Sequence, residues 1–166
     1  MTPDKLYQER IVSKWTLAIA SITTLGFLFA FLYQNLGGVM CGRPAPNWFL
    51  LLLFFLFLAL TINFSTLRIV ITPAAVVVSY GVFRKRIPFH NIQEWQIDDA
   101  SMFAYGGWGI RIARVGGNWR LVYNVIESPR LVLSLTKGKF REFVFSTKNP
   151  QRVMEIIRRE TSRQDK

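Results

Sequence analysis

The run from Trp48 to Phe64, WFLLLLFFLFLALTINF, leaves this chain few options. It holds no charge, and only Thr61 and Asn63 are strongly polar. As a helix rising about 1.5 Å per residue it covers about 26 Å, and one further turn to Leu67 completes a bilayer core of about 30 Å. Leu, Ile and Phe at the centre of such a helix each favour insertion by about 0.3 to 0.6 kcal/mol. A buried helix of a soluble domain usually keeps one polar face, whereas this run is apolar all round. It predicts a membrane span over 48–64.

A second uncharged run, Trp15 to Tyr33, precedes it. Trp15 and Tyr33 stand at its ends, where amphipathic rings settle at membrane interfaces. The run is longer than the apolar core of a signal peptide, and Met40 stands where a lipoprotein box needs a small residue before Cys41. An uncleaved helix over 15–33 is the expectation, with Gly26 and Ala30 at a small-xxx-small spacing. Gln34 to Asn47 is a loop marked by Gly37, Gly38, Gly42, Pro44 and Pro46, so the two helices form an antiparallel hairpin over 15–65.

Charge sets the expected orientation. The tail, residues 1–14, carries Lys5, Arg10 and Lys14; the loop carries Arg43 alone; the chain after Phe64 is far more basic. Counting positive charge near the spans puts both termini in the cytoplasm and the loop outside. The net charge of +11 and pI of about 10.4 fit anionic headgroups as well as nucleic acid, and no dense basic stripe favours nucleic acid. Composition agrees with two spans and one small domain: 51% of residues are hydrophobic and the mean hydropathy is +0.23.

From Thr66 the period changes to two. Leu67, Ile69 and Ile71 fall on one side, and Arg68, Val70 and Thr72 on the other, which is a strand pattern beginning where the helix stops. Residues 66–166 then read as about seven short strands separated by turns. Clear runs are AVVVSY (75–80), VFRKRI (82–87), IQEWQI (92–97), WGIRIAR (108–114), WRLVY (119–123), RLVLSLT (130–136) and FREFVF (140–145). Asn149 as N-cap and Pro150 at the first helical position open a C-terminal helix with a stripe of Val153, Met154, Ile156 and Ile157. A small open barrel covered by that helix is the expected fold.

Several stretches together resemble a known family. They are Leu67–Thr72 followed by Val76–Gly81, the basic hairpin with Ile87, Pro88 and Ile92, and Phe145–Pro150 leading into a helix. The most specific is Tyr105-Gly106-Gly107-Trp108-Gly109-Ile110-Arg111. Together they resemble the bacterial two-helix membrane proteins that carry a pleckstrin-homology-like (PH-like) domain. Asn91 stands where such proteins often have an acidic residue. The resemblance implies a seven-stranded barrel with a C-terminal helix and implies no activity.

The candidate chemistry is sparse. His90 reads as a solvated turn residue, and the topology separates it from Cys41. Glu94, Asp98 and Asp99 form the one acidic cluster, read as a turn whose carboxylates bond local backbone. No cofactor or metal spacing is present. The glycines of the YGGWGIR stretch match no phosphate-loop spacing, and they are expected to provide a bulge or close approach at a strand start, with Trp108 packed inward or onto the membrane surface. Arg84, Lys85 and Arg86 are the candidate contact for anionic lipid or a partner. The function expected is a non-catalytic, membrane-anchored PH-like interaction module at the cytoplasmic face of the cell membrane. It would bind a protein partner, a second copy of itself, or anionic phospholipid. The alternative is an accessory subunit of a membrane transport or envelope assembly.

Overall fold

The computed structural model describes residues 5–38 and 44–164; Cys41 and Arg43 lie outside the described residues. Two compact units emerge. One is the segment Ser13–Ser65, and the other joins the residues up to Val12 with those from Thr66 onward.

The first unit is a pair of helices, α1 (Lys14–Asn35) and α2 (Asn47–Phe64). Both are long and apolar enough to cross a membrane. Their apolar side chains are largely uncovered: Ile22 is 71% exposed, Phe29 61%, Phe55 60% and Ile62 69%. A helix in the core of a soluble domain would have these side chains covered. The helices meet antiparallel, with the Thr24 and Thr61 hydroxyls 3.3 Å apart and the Phe27 and Phe57 rings at 5.3 Å. At the loop end Gln34 donates to Ala45 O and Asn47 Oδ1, both at 2.7 Å. At the other end Ser13 N–H donates to Ser65 O at 3.0 Å. The Gly26–Ala30 spacing plays no part in this packing, since a methyl group at Gly26 would meet no atom within 4 Å.

The second unit holds two sheets and a helix. The first sheet has the order β1-β2-β3-β4, all antiparallel: β1 (Tyr7–Val12), β2 (Thr66–Thr72), β3 (Ala75–Tyr80) and β4 (Phe83–Pro88). Strand alternation puts Ile11, Leu67, Ile69, Ile71, Val76, Val78, Tyr80 and Ile87 on one buried face. Pro88 has no N–H to extend the ladder, and the chain leaves the sheet through a short 3₁₀ turn at Phe89–Asn91. The second sheet has the order β5-β8-β9-β7-β6: β5 (Ile92–Ile97), β6 (Gly109–Val115), β7 (Asn118–Asn124), β8 (Arg130–Leu135) and β9 (Glu142–Ser146). The β6–β7 and β8–β9 hairpins meet through the parallel pair β7–β9. Tyr80 links the two sheets, its hydroxyl donating to Asn124 O at 3.2 Å. The C-terminal helix α3 (Pro150–Gln164) buries Val153, Ile156 and Ile157 and lies against the Phe89–Asn91 turn and β5.

Three differences from expectation follow. The described residues form nine strands rather than about seven: the strand pattern read from Thr66 is β2, the seven later runs are β3 to β9, and β1 is the strand that was not expected. They form two sheets with no closed barrel, since β4 and β5 do not pair. Residues 7–12, read as part of a tail, form an edge strand.

What holds β1 in place is specific. Glu9 points to the buried side, where its carboxylate accepts from Thr147 Oγ1 at 2.6 Å, Lys148 N at 2.7 Å and Tyr7 Oη at 2.9 Å. The first strand is thereby tied to the chain just before α3. A carboxylate there also gains from the positive end of the helix dipole. Replacing Glu9 removes the charge-assisted acceptor of the buried Thr147 hydroxyl and of the part-buried Lys148 N–H. Glu9→Ala is expected to cost about 2 kcal/mol or more, read as a lower unfolding midpoint of the full chain in detergent, whereas exposed Gln8→Ala leaves it unchanged.

Candidate functional site

The glycine-rich stretch singled out by sequence turns out to serve the fold. Tyr105 ends a 3₁₀ turn over Met102–Tyr105 and is buried. Gly106, Gly107 and Gly109 take φ of 68°, 113° and 92°, a region that favours glycine. Only Arg111 Nη2, at 3.8 Å, comes near a Cβ built at Gly107, and nothing comes near one at Gly106 or Gly109. Their role is conformational freedom rather than close packing. The reversal lets Gly107 O accept from Asn124 Nδ2 at 3.0 Å and Trp108 O from Arg111 Nε at 3.1 Å. Trp108 is half-buried and Arg111 exposed.

The same turn brings the Tyr105 hydroxyl into a charged network on one face of the second sheet. It donates to Asp98 Oδ1 at 2.9 Å and accepts from Arg120 Nη1 at 2.8 Å. Asp98 also accepts from Arg130 Nε at 2.7 Å, and Arg120 pairs with Glu142, which takes a further bond from Asn118 Nδ2 at 2.8 Å. The Arg130 guanidinium lies over the Tyr105 ring, 5.2 Å from its centre, and donates to Ala100 O. Two carboxylates face two guanidiniums, so the formal charges cancel and no ligand is called for. Beside it Val122, Val132 and Val144 pack with the Tyr105 ring. Burial, the largest effect, raises the Tyr105 phenol above its ordinary value; the bond from Arg120 opposes that, and Asp98 adds to it. Asp98 makes the expected local turn bond, from Ala100 N at 3.3 Å. Its partners on β7 and β8 were not legible, because nothing local in the sequence marks which strands become neighbours. Glu94, Asp99 and His90 are exposed.

The sequence-predicted basic residues lie on the first sheet. β4 is an edge strand, and Arg84 and Arg86 lie on its outer side, both exposed. Lys85 falls on the opposite side and is half-buried, so the sequence triplet is split. The pairing register adds two residues from elsewhere in the chain. Arg84 pairs with Ser79, Ser79 with Arg68, and Arg68 with Arg10. Arg10, Arg68 and Arg84 therefore form one row across four strands, with Arg86 in the next row beside Val77 and Val70. Exposed charge along an edge strand also keeps the sheet from pairing with other chains. Lys148 adds a further cation, donating from Nζ to Arg10 O at 3.3 Å.

Two outcomes are expected of the buried network. Asp98→Ala leaves the Arg130 guanidinium without its carboxylate, while Arg120 keeps Glu142, and costs about 3 kcal/mol, whereas Glu94→Ala on the exposed side stays within about 0.5 kcal/mol; thermal unfolding in detergent compares them. The raised Tyr105 phenol fixes a sign in alkali. Its stabilisation is complete below the ordinary tyrosine pKa of about 10 and is lost as pH rises from there through its own higher value. Unfolding midpoints should therefore fall above about pH 10, and Tyr105→Phe should shallow that fall. Comparison with family models, with curated proteins and with solved structures found no match, so the PH-like resemblance stands on the sequence stretches named above.

Proposed function

We propose that this chain is a membrane-anchored, non-catalytic interaction module of PH-like type at the cytoplasmic face of a bacterial cell membrane. One observation carries this reading. β1 and β2 are neighbours in one sheet, and each continues into an apolar helix through a single residue, Ser13 or Ser65. A domain tethered twice, with no linker at either point, is confined to a shallow layer beside whatever holds the helices. Such confinement suits a module that presents surfaces to partners at a membrane, and it is an awkward design for a domain that must travel. The charge around the hairpin supports the orientation: Lys5, Arg10, Lys14 and Arg68 flank the sheet-side ends, against Arg43 alone in the connecting loop.

Cys41 is the sole cysteine and lies in that loop, so it reports topology without engineering. The protein is expected to stay with membranes through high salt and alkaline carbonate. An impermeant maleimide should label Cys41 on intact cells, with detergent-solubilised protein as the control for access. Release by carbonate would remove the anchored reading, and labelling only after permeabilisation would put the domain on the other face. Crosslinking in cells then separates the two roles. Capture of a polytopic membrane protein on the helices, with nothing on the sheets, would move the function to an accessory subunit.

A further inference from the structure

We infer that Arg10, Arg68 and Arg84 form a phosphate-binding row for anionic phospholipid headgroups of the bilayer that holds this chain's own helices. The inference rests on the anchored reading above and adds the ligand and the residues that take it.

The row is a product of the fold. Arg10 and Arg68 are direct cross-strand partners, and Ser79 alone separates Arg68 from Arg84. At about 4.8 Å per strand the row spans about 14 Å. Like charges set directly opposite one another on a sheet repel unless something of opposite sign lies between them. The described residues of this sheet place no such group on this face. Gln8, Val12, Val70, Val77 and Arg86 share this face with the row, and none of its described residues is acidic. Among the described residues, none of the four arginines is in an ion pair. The contrast with Arg120 and Arg130, each bonded to a carboxylate on the second sheet, is sharp.

Arginine is suited to this ligand. Its planar fork can give two parallel bonds to phosphate oxygens, and it sheds water more readily than an ammonium. Covalent reach selects the membrane as the source. Arg10 stands four residues before Lys14, the first residue of α1, and Arg68 four residues after Phe64, the last of α2. Four residues of extended chain span at most about 14 Å. The headgroup layer is itself about 5 to 8 Å deep on each side of the hydrocarbon. Val12, 46% exposed on the same face, stands between the row and the start of α1 in sequence.

The test uses the full chain with Cys41→Ser and Ser79→Cys, carrying a polarity-sensitive fluorophore in the middle of the row. It is placed in nanodiscs of phosphatidylcholine alone or with about a third phosphatidylglycerol. The expected result is a blue shift with phosphatidylglycerol that about 0.5 M salt reverses. Each arginine near a charged surface changes the docked-to-free ratio about fivefold, so Arg84→Gln lowers it about fivefold and Arg68→Gln/Arg84→Gln about 25-fold. Arg114→Gln, on the second sheet, leaves it unchanged. Identical spectra in both lipids, or a shift indifferent to salt, overturn the inference. A shift produced by polyglutamate and by neither lipid also overturns it and assigns the row to an acidic protein. Should the double variant misfold by circular dichroism, the lipid and salt arms on the parent still decide. Carbonate extraction and Cys41 labelling test the anchored reading separately, so either idea can fail without the other.

Discussion

The pairing of β1 with β2 is the contact on which the rest depends. It joins two segments separated in sequence by the whole of Ser13–Ser65. In a free chain such a closure carries an entropic cost, although one that grows slowly with loop length. Here the intervening segment is itself an antiparallel helix pair, bridged at its base by the Ser13–Ser65 bond. A hairpin assembled in a bilayer would deliver Val12 and Thr66 side by side, so that the strands need only continue. Once formed, the ladder places Arg10 beside Arg68 and carries Glu9 to the threshold of α3. The basic face and the anchoring of the C-terminal helix both stem from it.

Arginine serves two ends in the two sheets. On the second, Asp98, Glu142, Arg120 and Arg130 are drawn out of water and matched. Replacing such a set with apolar residues is often neutral or better for stability, but removing one member is severe. The set reaches across strands β7, β8 and β9 and the turn ending at Tyr105, so it holds the long connection before β6 to one side of the sheet. On the first sheet Arg10, Arg68, Arg84 and Arg86 are exposed, and none of them is in an ion pair among the described residues. The same side chain thus acts as internal fastening in one place and as open surface in the other.

Much of this was legible in the sequence, and the failures have physical causes. Continuous hydropathy marked both helices to within a residue or two. Period-two alternation around Gly81, Gly116-Gly117 and Gly138 marked three hairpins. β1 escaped because YQERIV carries Gln8, Glu9 and Arg10 in its middle; an inward glutamate reads as an outward one until its partners at Thr147 and Lys148 are known. Sheet order escaped because alternation says which way a side chain points and nothing about which strand lies alongside. The parallel β7–β9 pair and the open, two-sheet arrangement both belong to that missing information. Arg84 and Arg86 could be picked out as a local cluster, but Arg10 and Arg68 become their companions only through the register.

The double attachment has a mechanical consequence. Val12 and Thr66 lie at the same end of their ladder, so a load applied to both along the strands pulls β1 and β2 in the same direction. The rungs between them then carry little of it. The β2–β3 ladder and the bonds from Glu9 to Thr147 and Lys148 take it in shear, the direction in which many rungs resist at once. A load that parts the two helices instead opens the β1–β2 ladder like a zipper, one rung at a time, beginning at Val12 and Thr66. Separation of the two attachment points is thus the soft mode of this ladder, and a pull on both along the strands is the stiff one.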